Sequence, residues 1–468
     1  MLRTDKKRLS KNYKGQLIRR LMAGIAAGVL AVAATVLPPQ AHAETADVSV
    51  RNWYPGSVLK VPELKPLWTM QVDNYQDMND PYVGHQAVAE EGKVFTFAGA
   101  KLIAIDAVTG KQLWTYGKDL TPYVVYHSGV IYGLTGDHKP YAVNAKTGKA
   151  TWQSASSTWI DTWLRTEALV PIGDTLYVIK GSITFAYDMA TGRLRWTADE
   201  PLAEGGGTAY LEEVDNVVLR TFYVQGALTS IQLNAYDKKT GKKLWGAFGQ
   251  GEALRAKDGL VYSVDYYSPL LIDYQSLPER SLTINAYNLK TGVKKGSRKY
   301  SWTMPGEQPY EWGPGYGLVF MSGSKLYMEQ VDKVAEYDFD TYKAGAAPLR
   351  TFQRPYGDNW ELLRGIVQDR LIYRNTTTGE LAGIKLGNGQ GIGWYGDAPA
   401  AQIDVYSKGM YRAQRNGTLL GINVLTTKPV FRVRTGADLH GTTLKTEDMI
   451  IIQAEGRLLG VKVPASLR

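Results

Sequence analysis

The chain has 468 residues, of which 44% are hydrophobic and 21% charged, and its 49 glycines and 30 tyrosines are typical of a folded, turn-rich chain and exclude a disordered one. The formal net charge of +9 is concentrated in residues 1–43, which hold eight Lys or Arg against one Asp, so the main argument for a nucleic-acid partner is lost. Cysteine is absent, which excludes disulfides, a lipoprotein anchor and a cysteine nucleophile.

Residues 1–43 have the three parts of a secretory signal. A basic stretch precedes an apolar run from Leu21 to Leu37, and Ala41 and Ala43 give the Ala-x-Ala pattern of a cleavage site. An uncleaved membrane anchor is the alternative, but the run is short and rich in small residues for a membrane-spanning helix. We therefore expect an extracytoplasmic protein, secreted or held at the cell surface, with no stable membrane insertion after cleavage.

A short phrase returns along the rest of the chain every 37 to 51 or so residues, a spacing typical of propeller blades. It reads apolar-x-Ala-x-Asp/Asn-x-x-Thr-Gly-Lys-x-x-Trp, and its clearest copies cover 102–114, 140–152, 184–196 and 233–245. Each copy predicts a hairpin, because Asp or Asn can start the turn and Gly can take a positive φ. Another pair of β-rich runs precedes each phrase, so each repeat predicts a four-stranded antiparallel sheet.

Three residues of the phrase recur at fixed offsets, namely Ala104, Gly110 and Trp114 in the first copy. The matching residues of the next three copies are Ala142, Gly148, Trp152, Ala186, Gly192, Trp196, Ala235, Gly241 and Trp245. With these residues the sequence resembles the pyrroloquinoline-quinone-binding-like repeat of quinoprotein-like β-propellers. In that repeat the Trp of an outer strand docks between small residues of neighbouring blades, so the resemblance implies a structural docking role for all twelve residues.

Later copies of the phrase are less regular. Gly296 stands where the fifth copy should have Trp, and the sixth copy reaches Tyr342 without its Gly. Trp394 comes one position late, and Phe431 follows a further copy in place of Trp. About nine copies can be counted, whereas propellers of this family usually close with eight blades. We expect eight blades and leave nine open.

The predicted fold is all-β, with a single closed β-propeller of four-stranded blades over residues 64–468 and an N-terminal linker over 44–63. The last copy of the phrase, at 457–463, has no outer strand of its own. The segment Pro66–Val72 reads as an orphan outer strand. Pairing it with the last repeat would close the ring and remove exposed sheet edges.

Aromatic and charged residues cluster in the segments that join consecutive blades, which in a propeller gather around one mouth of the central channel. The candidate ligand-binding residues are Trp159, Asp161, Trp163, Tyr310, Glu311, Trp312, Asp358 and Trp360. Flat aromatic faces beside carboxylates suit the recognition of sugars or peptides. The alternative is that these rings only cap the spaces between blades.

The resemblance implies two classes of function. Enzymes of the family use pyrroloquinoline quinone with calcium and need an adjacent Cys pair, which this composition excludes. No segment matches the family's catalytic segment, so we expect no catalytic residue, no metal site and no cofactor. The other likeness is to the outer-membrane assembly scaffold BamB, although this chain has no cysteine to carry a lipid.

We therefore expect a secreted, non-catalytic scaffold that binds a protein, a peptide or a cell-envelope polymer such as a glycan, and not a nucleic acid. Whether it is an enzyme stays open. The alternative function is that of a quinone-dependent dehydrogenase, or of a polysaccharide hydrolase or lyase acting through carboxylates such as Asp161, Glu311 or Asp358.

Overall fold

A computed structural model describes residues 48–50, 59–73, 86–158, 167–203, 206–225, 230–274, 277–306, 313–354, 357 and 359–468. Within these ranges the chain forms nine sheets, eight of four strands and one of six, and each contains one four-stranded antiparallel blade. Eight of the nine blades are built from four consecutive strands. The described ranges also contain three short 3-10 helices, at Pro201–Ala203, Ser268–Leu271 and Ala465–Leu467.

The strands of each blade are numbered from first to fourth in sheet order. Blade 1 consists of Val88–Glu90, Lys93–Ala98, Lys101–Asp106 and Gln112–Tyr116, and blade 2 of Leu120–His127, Val130–Thr135, Pro140–Asn144 and Ala150–Gln153. Blade 3 consists of Glu167–Ile172, Thr175–Lys180, Ile183–Asp188 and Leu194–Asp199, and blade 4 of Gly207–Val214, Val217–Val224, Ser230–Asp237 and Lys243–Phe248. Blade 5 consists of Gln250–Lys257, Leu260–Asp265, Glu279–Asn288 and Lys294–Thr303, and blade 6 of Tyr316–Ser322, Lys325–Gln330, Lys333–Asp338 and Arg350–Gln353.

Blade 7 consists of Trp360–Val367, Arg370–Asn375, Leu381–Lys385 and Gly391–Trp394, and blade 8 of Ala400–Tyr406, Gly409–Gln414, Thr418–Asn423 and Pro429–Arg434. Blade 9 is composite. Its first three strands are Leu444–Thr446, Met449–Ala454 and Arg457–Lys462, and its fourth is Trp68–Gln71. Trp68 stands opposite Gly460 in this antiparallel pair, which confirms that an N-terminal strand completes the last blade.

The nine blades match the nine copies of the phrase, and the preference for eight gives way to that count. Loss of the Trp or the Gly from a late copy did not remove its blade, because strand pairing depends on the backbone ladder and the alternating pattern. In the fifth copy, Glu279–Asn288 and Lys294–Thr303 form a ten-residue pair of strands although Gly296 replaces Trp.

The core is divided into nine hydrophobic clusters of described residues, one between each pair of neighbouring blades. One of these joins Ile103 and Ile105 of blade 1 to Ile451 of blade 9, so the ring is closed by side-chain packing as well as by the shared strand. Each blade therefore depends on two neighbours for its core, as in other repeat proteins.

The first strand of each blade lies on the inner side of the ring. First strands of neighbouring blades contact each other, for example Val88–Glu90 with Leu120–His127, and Leu120–His127 with Glu167–Ile172. Fourth strands such as Gln112–Tyr116 and Ala150–Gln153 are the most exposed of their blades. A side chain on a first strand therefore faces the centre of the ring or a neighbouring blade.

The segment predicted as a linker over 44–63 contributes two more strands, both to blade 8. Val48–Val50 pairs antiparallel with the inner strand Ala400–Tyr406, and Glu63–Leu64 pairs parallel with the outer strand Pro429–Arg434. Some of the backbone groups at both edges of blade 8 are paired in this way, which composition alone did not indicate.

Six blade interfaces share one contact, which we call the indole latch. The indole N–H of an outer-strand Trp donates to the backbone oxygen of the residue that follows the first Asp or Asn of the next blade's turn. The pairs are Trp68 to Ala107 (2.8 Å), Trp114 to Ala145 (3.1 Å), Trp152 to Met189 (2.7 Å), Trp196 to Lys238 (2.7 Å), Trp245 to Leu289 (2.8 Å) and Trp394 to Val424 (3.1 Å).

In five of these latches the indole ring also lies on the Gly of the next blade's turn. Gly148 illustrates the fit, because its φ of 70° favours glycine and an added Cβ would lie 2.6 Å from the ring of Trp114. Within its own blade Trp114 stands opposite Ala104. The ring is thus held between a small residue of its own blade and one of the next.

Two interfaces that lack Trp at the latch position use an arginine instead. Arg298 of blade 5 donates to the backbone oxygen of Phe339 in blade 6. Arg350 of blade 6 donates to the backbone oxygen of Leu386 in blade 7 at 2.9 Å. Phe339 and Leu386 occupy the same place in their turns as the acceptors of the indole latch. The structure therefore keeps the hydrogen bond where the sequence has lost the Trp.

Candidate functional site

The antiparallel order of the strands sorts the loops onto two faces of the ring. The turns between second and third strands lie on the same face as the segments joining one blade to the next, which we call the connector face. The remaining turns, including those of the repeated phrase, lie on the opposite face, which we call the turn face. Loops on a rigid frame are the usual place for binding residues.

Seven of the eight candidate ligand-binding residues lie outside the described residues. They are Trp159, Asp161, Trp163, Tyr310, Glu311, Trp312 and Asp358. The eighth, Trp360, begins the first strand of blade 7, where it is half-buried and packs against the hydrophobic cluster between blades 6 and 7. Its backbone oxygen accepts a hydrogen bond from Arg354. The geometry of Trp360 is that of a ring closing the space between blades.

The connector face also carries an excursion of blade 5 that sequence reasoning missed. It joins the strands Leu260–Asp265 and Glu279–Asn288 and contains the 3-10 helix Ser268–Leu271. Asp265 fixes its start, because the carboxylate accepts hydrogen bonds from the backbone of Ser268 at 2.9 Å and from its hydroxyl at 2.7 Å. The only sequence signal was the long interval between two β-rich runs.

The end of the excursion is fixed by a buried arginine. Arg280 is 1% exposed, stacks over the ring of Tyr274 at 4.5 Å and donates to the backbone oxygen of that residue at 3.3 Å. It also donates to the backbone oxygen of Leu277. Hydrogen bonds from a buried cation to backbone carbonyls hold a loop more firmly than neutral ones.

Four large apolar side chains are exposed on and beside this fixed excursion. Leu271 is 64% exposed, Ile272 and Leu277 are each 46% exposed, and Phe248 is 43% exposed. Phe248 contacts the excursion through Tyr267, with ring centroids 4.7 Å apart. We call these four residues the blade 5 patch. Grouped apolar side chains exposed on a rigid base mark a contact surface more often than scattered ones do.

A second group of functional residue types lies on the inner strands. Tyr210 of blade 4 donates its hydroxyl to Glu212 at 2.7 Å and accepts a hydrogen bond from the backbone of Ala253 in blade 5 at 3.2 Å. Glu252 of blade 5 forms an ion pair with Arg364 of blade 7 at 3.3 Å. This pair reaches past blade 6 and joins two blades that are not adjacent.

Burial raises the pKa of Glu212, and it raises the pKa of Glu252 despite the opposing charge of Arg364. Desolvation also raises the pKa of Tyr210 well above its usual value. Across the described ranges, no three His, Cys, Asp or Glu side chains are grouped in a way that could hold a metal ion.

Among the described residues we find no group that matches the quinone and calcium site which the resemblance implies for the family's enzymes. The chain has no cysteine to form the adjacent pair, and the buried carboxylates Glu212 and Glu252 are engaged with Tyr210 and Arg364. The described part of the chain offers no oxygen-rich ligand group in their place. No catalytic step through that cofactor follows from this structure.

Nine four-stranded blades in a closed ring, latched by Trp on the turns of a repeated phrase, define the class of protein. The chain is a β-propeller repeat protein, and its repeats are similar to those of quinoprotein-like proteins. Over residues 63–234 it matches the sequence model of the family described as outer membrane protein assembly factor BamB.

Several characterised proteins are similar to parts of the chain. A quinohemoprotein alcohol dehydrogenase of Pseudomonas putida is 26% identical over 151 residues, which are 28% of this chain and 21% of that protein. A tetrathionate hydrolase of Acidithiobacillus ferrooxidans is 30% identical over 174 residues, which are 31% of this chain and 32% of that protein. The chain thus covers at most about a third of the length of these relatives.

Among solved structures, BamB from Moraxella catarrhalis matches with a TM-score of 0.44 at 13% identity, over 85% of this chain and 99% of that one. A europium-containing methanol dehydrogenase matches with a TM-score of 0.39 at 12% identity, over 82% of each chain. Within the residues that the structure describes, no helix is long and apolar enough to cross a membrane.

Proposed function

We propose that the chain is an extracytoplasmic, non-catalytic scaffold that binds a partner protein or peptide on its connector face. The observation that carries the proposal is the blade 5 patch, in which Leu271, Ile272 and Leu277 stay exposed while Asp265 and Arg280 fix the excursion beneath them. Exposing apolar area on a preorganised loop favours association, because little conformational entropy is lost when a partner covers it.

The chemistry of the patch supports a protein or peptide over a glycan. Sugar binding needs flat aromatic faces with directional polar groups, whereas three of the four patch residues, Leu271, Ile272 and Leu277, offer branched aliphatic surface. The fourth, Phe248, packs against Tyr267. The matching family is named for an assembly factor of outer membrane proteins, which also supports a protein partner. The aromatic and acidic residues predicted at the blade connectors remain a prediction of a second, polar part of the same face.

The partner can be located by photo-crosslinking in cells that export the chain. We expect a benzoylphenylalanine at Leu271 to capture one predominant protein, and the same group at Val293 to capture none. Val293 is a matched control, because it is 53% exposed but lies in a turn of the repeated phrase on the turn face. Equal capture at both positions, or none at Leu271, would contradict the proposal.

The captured partner then allows an affinity measurement with purified proteins. We expect the triple variant Leu271→Ser, Ile272→Ser, Leu277→Ser to weaken binding by about tenfold or more, since each buried aliphatic side chain contributes on the order of 1–3 kcal/mol. The double variant Val108→Ser, Val293→Ser removes comparably exposed residues from the turn face and should bind like the parent chain. Unchanged affinity of the triple variant would exclude the patch.

The enzymatic alternative needs a separate test. Purified chain incubated with calcium and pyrroloquinoline quinone should acquire no bound chromophore and should oxidise neither alcohols nor sugars in a dye-linked assay. This expectation follows from the missing Cys pair. A bound chromophore with turnover would overturn the non-catalytic proposal while leaving the capture experiment to judge the patch.

A further inference from the structure

The inner edge of blade 8 differs from the other inner edges of the ring. Val48–Val50 pairs there with Ala400–Tyr406, so blade 8 has a strand added on the inner side of its first strand. In every other blade the first strand is the last of its sheet, as far as the described ranges extend. An unpaired strand edge is a template for another extended chain.

The added strand covers only part of the available edge. The register places Val48 opposite Val405, Ser49 opposite Asp404 and Val50 opposite Ile403. The acceptor strand runs from Ala400 to Tyr406, so it continues beyond the paired residues in both directions. A longer extended segment could therefore form more backbone hydrogen bonds on the same edge than the chain's own three residues do.

The acceptor strand is fixed from behind. The carboxylate of Asp404, which is fully buried, accepts hydrogen bonds from the backbone of Thr443 at 2.6 Å and from the side chain of Gln402 at 2.9 Å. The hydroxyl of Tyr406 donates to the backbone oxygen of Thr443 at 2.8 Å. These contacts tie the edge to the segment that leads into blade 9, so the edge is preorganised for pairing.

Burial supports the same conclusion. Every residue of Ala400–Tyr406 is buried, whereas the inner strands Gln250–Lys257 and Trp360–Val367 are for the most part only half-buried. A first strand that is buried throughout its length can engage an added chain through its backbone edge, with side chains of the ring already in place.

We propose that the inner edge of blade 8 is a strand-acceptor site, which binds an extended peptide segment of a partner protein by β-augmentation, and that Val48–Val50 occupies it until such a segment arrives. The peptide would alternate β-branched apolar residues with small polar ones, as Val48-Ser49-Val50 does. The chain's own strand competes because it is tethered at a high effective concentration, not because three pairs bind strongly. This site is separate from the blade 5 patch.

The first test removes the chain's own strand from the edge. In the double variant Val48→Pro, Ser49→Pro, at least one lost N–H must have faced the blade, because successive N–H groups of a strand point to opposite sides. The matched control is Glu44→Pro, Thr45→Pro, which places two prolines before the strand. The probe is a labelled synthetic peptide of residues 44–54 of this chain.

We expect the probe to bind the Val48→Pro, Ser49→Pro variant at least about tenfold more tightly than the parent chain or the control, because tethering no longer blocks the edge. A probe with N-methylated backbone at Val48, Ser49 and Val50 should not bind, since it cannot pair. Equal binding to variant and parent, or equal binding of the methylated probe, would overturn the proposal. Should the proline variant fail to fold, Val48→Gly with Val50→Gly weakens the strand and should give the same order of affinities.

Hydrogen exchange gives a readout that a merely structural strand would not produce. At least one amide among Ile403, Asp404 and Val405 should exchange faster in the proline variant and regain its protection when the probe is added. Exchange that is identical in parent and variant would show that the pairing is absent. A parent chain that is dimeric while the variant is monomeric would show that the strand is exchanged between copies, which would overturn the intramolecular competition.

The outcome is independent of the proposed function. Adding the three serine substitutions of the blade 5 patch to the Val48→Pro, Ser49→Pro variant should leave its affinity for the probe unchanged, because the patch lies on another blade. Loss of partner capture at Leu271 would leave the strand-acceptor proposal standing, and failure of the probe would leave the patch standing.

Discussion

The interface between blades 4 and 5 and the interface between blades 5 and 6 are held by different residues, although both use the same two positions of the repeated phrase. In the first, Trp245 of blade 4 lies on Gly292 of blade 5 and donates to the backbone oxygen of Leu289 at 2.8 Å. In the second, Gly296 of blade 5 stands at the place of the Trp, and Tyr342 of blade 6 stands at the place of the Gly. The aromatic ring has moved to the other blade.

Tyr342 and Arg298 together replace the latch at the second interface. The Tyr342 hydroxyl accepts a hydrogen bond from the backbone N–H of Lys299 at 2.9 Å and donates to its oxygen at 3.2 Å. The guanidinium of Arg298 lies over the ring of Phe339 at 4.0 Å and of Tyr262 at 4.7 Å while donating to the backbone oxygen of Phe339. An aromatic ring and a hydrogen bond to the turn are both present, but Tyr342 of blade 6 supplies the first and Arg298 of blade 5 the second.

An irregular copy of the phrase can be interpreted only together with the copy in the neighbouring blade. The Gly of the fifth copy and the Tyr of the sixth each look like a loss when their own repeat is considered alone. Since two blades share each interface, contacts that one blade has lost can be supplied by residues of the next. The interface between blades 6 and 7 also uses an arginine. Arg350 donates to the backbone oxygen of Leu386 and forms an ion pair with Glu336 at 2.6 Å.

Removing a regular latch should have the largest effect. Trp196 is buried, its ring lies on Gly241, and its N–H donates to Lys238 at 2.7 Å, so Trp196→Ala loses packing and a hydrogen bond together. We expect a loss of about 3–5 kcal/mol in the free energy of unfolding, measured by urea denaturation. Trp196→Phe keeps a ring and should cost less. A loss below about 1 kcal/mol for the Ala variant would contradict the latch.

Restoring the regular arrangement between blades 5 and 6 tests the exchange directly. Tyr342→Gly alone loses the ring that packs on Tyr300 and the hydrogen bonds to Lys299, so it should lower the melting temperature, whereas Gly296→Trp alone has no glycine to lie on and should not raise it. The double variant should be more stable than the sum of the single effects predicts, by about 1–3 kcal/mol of coupling. Strictly additive effects in the double-mutant cycle would show that the two positions do not share one space.

Replacing the arginine that substitutes for the indole should have a smaller effect. In Arg298→Lys the charge remains, but the planar group that both stacks on Phe339 and donates to its backbone is lost. We expect a loss of about 1–2 kcal/mol, measured in urea. Arg193→Lys is the matched control on an exposed outer turn and should change stability by less than about 0.5 kcal/mol. If Arg298→Lys and Arg193→Lys changed the free energy of unfolding equally, Arg298 would not replace the indole latch.

The regular part of this fold could be predicted from the sequence because its signals are local. The turn of Asp188 shows why, since its carboxylate accepts hydrogen bonds from the N–H and the hydroxyl of Thr191, both at 2.9 Å, and the Asp-x-x-Thr-Gly spacing records that geometry. The closing strand at Trp68–Gln71 was equally visible, because an unpaired β-rich segment must find a partner.

The rest could not be predicted because its signals are long-range. Arg298 stands two positions beyond the lost Trp, and only the structure shows that its long side chain reaches Phe339. The blade 5 patch depends on Arg280 meeting carbonyls inside its own excursion, and the strand at Val48–Val50 finds its partner far along the chain at Ile403–Val405. Neither contact leaves a spacing or a period in the sequence.

The smallest expected effect concerns the first residue of the phrase's turn, which is Asp in some copies and Asn in others. Asp237 of blade 4 accepts hydrogen bonds from the backbone of Thr240 at 2.8 Å and from its hydroxyl at 2.7 Å, and Asn288 of blade 5 binds Thr291 in the same way. The bond from the Thr240 hydroxyl, with smaller help from the backbone, lowers the pKa of Asp237. Asp237→Asn should therefore leave the melting temperature at pH 7 almost unchanged, because the amide oxygen accepts the same bonds.

The difference should emerge in acid. A carboxyl whose pKa is lower in the folded state adds stability above the unfolded value near 3.8, and this is lost as the pH falls through the folded pKa. The parent chain should thus lose more of its melting temperature between pH 5 and pH 3 than Asp237→Asn does, and Asn288→Asp should lose more than the parent. Parallel curves for all three chains would mean that these turns bind Thr equally well with a protonated carboxyl, and that Asp has no electrostatic role in the phrase.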